Sequence, residues 1–126
     1  MKKVIIFILL ISAPLTLIAQ AKGPMIQFEM NTIDFGEIEK ATDGVRTFIF
    51  ENTGDEPLII EGVRSSCGCT IPEKPEAPIA PGEKGVIKVK YDTNRIGVFR
   101  KTITVNTNVA SSSTIALKIK GTVLEN

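Results

Sequence analysis

Both cysteines of the 126-residue chain fall in one stretch, Ser66-Cys67-Gly68-Cys69-Thr70. Two thiols a single residue apart can close a disulfide, exchange electrons with other thiols, or hold a soft metal ion. The spacing makes the disulfide demanding. In an extended strand, residues two apart place their Cα atoms about 6.6 Å from each other, at the upper end of what a disulfide spans, so the chain must bend. Gly68 is the residue expected to permit the bend. So short a loop restricts the unfolded chain by only about 1.6 kcal/mol, which makes the bond a poor staple and, if strained, an easily reduced one. Three readings stay open. Cys67 and Cys69 form a structural corner, packing as small apolar groups or closing a local disulfide. They act as a redox-active or partner-linking thiol pair. Or they bind Cu(I) through two thiolates, a reading that lacks further ligands near the motif in sequence, although Met25 or Met30 could approach in the fold.

The rest of the composition removes chemistry. There is no histidine, which excludes Ser-His-Asp and Cys-His hydrolase mechanisms, His-ligated zinc or copper, and the side chain most used for proton transfer near neutral pH. No catalytic residue and no cofactor site is expected. Ser65 and Ser66 read as turn and strand residues, and Asp34, Glu37 and Glu39 as solvated ones. Asp92-Thr93-Asn94 is too short for a calcium loop. No phosphate-binding glycine motif, internal repeat or glycosylation sequon occurs. With 15 basic against 14 acidic side chains, the net charge of +1 gives no field that would attract nucleic acid.

Stepping along the chain, residues 1–21 look like an export signal: Lys2 and Lys3, an apolar run from Val4 to Ile11, and Ala19-Gln20-Ala21 as a small-x-small cleavage pattern. Cleavage is expected before Lys22, with cleavage after Ala19 the alternative. An uncleaved anchor is the competing reading, but a spanning helix needs about 20 apolar residues and Pro14 interrupts this run. Removing 21 of the 126 residues leaves 105, with 13 basic and 14 acidic side chains and no segment able to span a membrane. Residues 22–126 are then one small domain.

That domain alternates with period two, which means half-buried strands. Ile26, Phe28 and Met30 share a face, as do Phe48 and Phe50; Leu58 and Ile60 lead a third strand. Ile87, Val89 and Tyr91 alternate with Val86, Lys88 and Lys90. Phe99, Ile103 and Val105 form another inward row, and Ile115, Leu117 and Ile119 the last. Turn residues separate these runs at Asp43-Gly44, 52–56, Pro81-Gly82 with Gly85, 92–97 and 106–113. About seven strands without a helix predict an immunoglobulin-like antiparallel β-sandwich, with Phe48, Phe50, Leu58, Ile60, Val89, Ile103, Leu117 and Ile119 as its core. Pro72, Pro75, Pro78 and Pro81 forbid a central strand in 71–81 and predict an extended connection along a sheet edge, or else a docking segment.

Several of these residues form a recognisable set: Asp34-Phe35-Gly36, Phe48 to Gly54, Leu58 to Ile60, Ser66 to Thr70, Pro81-Gly82, Gly97 with Phe99, Lys101-x-Ile103-x-Val105, and Leu117-x-Ile119-x-Gly121. Across residues 28–123 the chain resembles a bacterial exported family of unknown function with a Ser-Cys-Gly-Cys-Thr motif. That family is similar to the immunoglobulin-like domains of major sperm protein, Hydin and the periplasmic pilus chaperones. The resemblance implies a binding or scaffolding module, often in the envelope of Bacteroidetes-like bacteria, and no enzymatic activity. The expectation is therefore an exported, non-enzymatic module of the periplasm or cell envelope that binds an envelope protein. The alternative is a thiol redox or Cu(I)-handling protein built on Cys67-Gly68-Cys69.

Overall fold

A computed structural model describes residues 23–125. The signal segment 1–21 and the boundary at Lys22 lie outside the described residues. Eight strands make up the fold: β1 (Ile26–Phe28), β2 (Thr32–Glu39), β3 (Val45–Asn52), β4 (Ile60–Ser65), β5 (Thr70–Glu73), β6 (Lys84–Tyr91), β7 (Gly97–Thr107) and β8 (Thr114–Leu124). They form two four-stranded sheets, ordered β1-β3-β6-β5 and β2-β8-β7-β4.

Alternation in sequence becomes burial between the sheets. Phe48 and Phe50 on β3 share the inner face of their sheet with Ile87 and Val89 on β6, while Ile103 and Val105 on β7 and Leu117 and Ile119 on β8 close the core from the other sheet. All eight residues expected in the core are buried there, together with Phe35, Tyr91, Phe99, Val109 and Val123. Lys118 and Lys120 lie on the opposite, outward face of β8. At one end Phe35 stands edge-on to Tyr91 and Phe99, Tyr91 stacks on Phe99 at 3.8 Å between centroids, and the Arg46 guanidinium lies 4.3 Å from the Phe35 centroid. Gly121 pairs with Phe99 across the β7–β8 ladder. A Cβ at Gly121 would come within 2.8 Å of the Phe35 Cβ and 2.9 Å of the Phe99 ring, so only glycine leaves space for both aromatics.

The structure corrects the sequence reading in several places. Asp34, Glu37 and Glu39 are exposed strand residues as expected, but the strand they belong to, β2, is not among the runs marked by alternation: it is a full edge strand and runs parallel to β8 in an otherwise antiparallel sandwich. Its alternation is broken by a register shift between Asp34 and Glu37, where Gly36 has φ +68°. Leu58 precedes β4 and pairs instead with Ile79 through an isolated bridge. Gly85, expected in a turn, lies inside β6 opposite Phe50, where its missing side chain admits the Phe50 ring. Met30 lies beyond the end of β1 and is exposed. Asn52, expected in a turn, is the buried last residue of β3. The proline-rich run begins as expected at an edge: β5 contains Pro72 and is the outermost strand of its sheet.

Candidate functional site

β4 and β5 are the terminal strands of opposite sheets and lie on the same side of the sandwich, joined by the turn that carries the two cysteines. Several hydrogen bonds hold this turn. The Ser66 N–H donates to the Thr102 carbonyl at 3.0 Å and the Thr102 N–H to Ser66 Oγ at 3.3 Å. The Cys67 N–H donates to Ser65 Oγ at 3.2 Å, the Thr70 N–H to the Cys67 carbonyl at 3.3 Å, and the Asp92 N–H to the Cys69 carbonyl at 2.8 Å. The first two tie the turn to β7, and the last ties it to the end of β6.

Within this turn Cys67 and Cys69 are joined in a disulfide, their Cα atoms 5.3 Å apart. The expected bend is there, but Gly68 does not supply it through a left-handed conformation: its φ is not positive and a Cβ at this position would meet nothing within 4 Å. Cys69 is buried at 3% exposure, whereas Cys67 is only partly covered. Each sulfur has a polar neighbour. The Cys69 N–H donates to Cys67 Sγ at 3.1 Å, and Thr70 Oγ1 lies 3.7 Å from Cys69 Sγ. Ser66, Cys67, Gly68, Cys69 and Thr70 thus form one compact unit.

The structure does not bring to this unit the methionines that could have approached it as further soft ligands. Met25 and Met30 flank β1, at the far edge of its sheet from β5. Among the described residues no group of three or more His, Cys, Asp or Glu side chains comes together. A Cu(I) site here would need both thiols reduced and a ligand from elsewhere.

Beyond the turn, the open side of the sandwich carries a groove lined by Gly62 and Val63 of β4, Pro72 and Glu73 of β5, and Lys74 and Glu76. The Ser66 N–H bond to the Thr102 carbonyl fixes the alternation of β4, so the Arg64 amide faces β7 and those of Val63 and Ser65 face outward, unused by the ladder. Pro72 offers no N–H on the other wall. This groove was not legible in the sequence, because it arises only when two strands from different sheets become neighbours. The available signal was the proline-rich stretch directly after the cysteines, which marked an edge without showing what faces it.

Two facing four-stranded sheets with this strand order define an immunoglobulin-like β-sandwich domain. The chain belongs to the family described as protein of unknown function, DUF1573, whose model matches residues 26–123. In structure it is similar to a protein of unknown function from Porphyromonas gingivalis W83, with a TM-score of 0.73 and 14% identity over 86% of this chain and 51% of that one. The chain spans about half the length of that protein. It is also similar to the ASH / PapD-like domain 7 of human CEP192, with a TM-score of 0.66 and 11% identity over 90% of this chain and 92% of that one. A third likeness is to the CsuC-CsuE chaperone-tip adhesion subunit pre-assembly complex of Acinetobacter baumannii Csu pili, with a TM-score of 0.56 and 15% identity over 80% of this chain and 57% of that one. No curated protein matches the chain in sequence.

Proposed function

We propose that the protein is an exported, non-enzymatic module of the bacterial cell envelope that holds an extended segment of another protein along β4, in the groove between β4 and β5. The observation that carries this reading is the unpaired β4 edge. The outward amides of Val63 and Ser65 can extend the sheet by one strand, and the groove beside them has room for alternate side chains of that strand. The fold supports it in a general way, since one similar structure is of a chaperone in complex with a pilus subunit. The signal-like pattern of residues 1–21 supports export. The absence of histidine supports a role without acid–base catalysis.

Site-specific photocrosslinking in the intact cell tests the reading. A photoreactive residue at position 62, in the groove, is expected to give a discrete protein adduct, while one at position 98, on the exposed outer face of β7, gives none. Adducts of equal yield from both positions, or none from position 62, would contradict it. Export is decided separately by sequencing the N-terminus of the processed protein. A start near Lys22 is expected, and a start at Met1 in the membrane fraction would show an anchor instead.

A further inference from the structure

Beyond partner binding, we propose that Cys67–Cys69 is an exchangeable disulfide that oxidises dithiols of other proteins, with Cys67 as the sulfur attacked. Three observations converge on it. The loop closed by the bond spans a sequence separation of only 2, so oxidation gains less from restricting the unfolded chain than in a long-loop disulfide and the bond is correspondingly more open to reduction. The two cysteines differ in exposure, Cys69 being 3% exposed and Cys67 only partly buried in the turn between β4 and β5. The turn is held by main-chain and serine hydrogen bonds to Thr102, Ser65 and Asp92 that do not involve the sulfur–sulfur bond. Reduction therefore leaves the two thiols side by side, ready to close again.

The exchange proceeds by two displacements. A thiolate of a partner dithiol attacks Cys67 Sγ, forming a mixed disulfide and breaking the Cys67–Cys69 bond. Cys69 leaves as a thiolate beside the Thr70 hydroxyl and takes a proton from water. The partner's second thiolate then attacks its own sulfur in the mixed disulfide and expels Cys67, whose Sγ accepts the Cys69 N–H, an arrangement that favours the leaving thiolate; Cys67 then takes a proton from water, to which the partner's two thiols gave theirs. In total two electrons and two protons pass from the partner dithiol to the pair. A second disulfide compound, protein or small molecule, takes them up again by the reverse exchange. This inference does not rest on the β4-edge reading.

The test uses the purified protein in a buffer of reduced and oxidised glutathione poised so that an ordinary long-loop structural disulfide stays oxidised. Acid quenching, alkylation and mass measurement give the fraction reduced, and circular dichroism reports the fold. The expected result is that a large fraction of Cys67–Cys69 is reduced while the protein stays folded, and reforms when oxidised glutathione is added. A pair reduced only once the protein unfolds would overturn the proposal. Single variants locate the attacked sulfur. Cys69→Ser, which keeps the accessible thiol, should take up one glutathione from oxidised glutathione at least about tenfold faster than Cys67→Ser, which keeps the buried one. Equal rates in two folded variants would also overturn it.

Discussion

Asn52 joins three separate parts of the chain through one side chain. It is fully buried, its Nδ2 donating to the carbonyls of Glu56 at 2.7 Å and Ile79 at 2.9 Å, and its Oδ1 accepting from the Gly54 N–H at 2.9 Å and the Met25 N–H at 3.4 Å. Its main chain bonds Gly82 and Glu83 as well. Replacing it with alanine removes the partner of the part-buried Glu56 carbonyl and of the Gly54 and Met25 amides, and leaves the buried Ile79 carbonyl with the Leu58 N–H alone, so Asn52→Ala should lose about 2 kcal/mol in urea unfolding. A loss below about 1 kcal/mol would show that water satisfies these groups instead. The sequence placed Asn52 in a turn because asparagine favours turns, yet its position in step with Phe48 and Phe50 already pointed it inward.

Tyr91 provides a second prediction at the same scale. Burial raises its phenol pKa above the usual 10.0, Arg95 opposes the shift and Asp92 adds to it. A phenol harder to ionise in the folded state retains its proton there after the unfolded chain has lost its own. The stability it contributes is thus complete below pH 10 and lost as pH rises from there through the raised folded value. In urea unfolding between pH 8 and pH 11, Tyr91→Phe should decline less steeply than the parent. Parallel declines would show that the phenol is solvated in the folded protein.

Among the elements, what could be read from sequence depended on regular alternation. The runs of β3, β6, β7 and β8 were legible because each faces the core on one side and water on the other. β2 was hidden because the register shift at Asp34–Glu37 interrupts its period, and β5 because proline argues against a strand unless the strand is known to be an edge. The cysteine turn was legible as a motif, but its two sulfurs could be ranked by access only after β4 and β5 were placed. Hydrogen bonds from this turn to Thr102, Ser65 and Asp92 hold it without the disulfide. Cys67→Ala, Cys69→Ala should therefore fold, with a loss of about 2 kcal/mol or less from loop restriction and packing together. Failure to fold would make the disulfide itself the structural corner.

For the whole molecule, the two sheets place β1 and β2 at one side of the sandwich and β4 and β5 at the other. β1 has three residues, β2 is interrupted by its shifted register, and β5 carries a proline, each of which discourages strand addition. β4 has neither a proline nor so short a span, and its own register shift is confined to Ile60–Gly62, before the outward amides of Val63 and Ser65. The most direct measurement uses Val63→Pro, which removes an outward N–H from β4 while sparing the bonds to β7. With the photoreactive residue at position 62, the adduct yield should fall at least about tenfold while the thermal unfolding midpoint stays within a few degrees of the parent. An undiminished adduct on a folded Val63→Pro protein would show that the partner does not bind by adding a strand to β4.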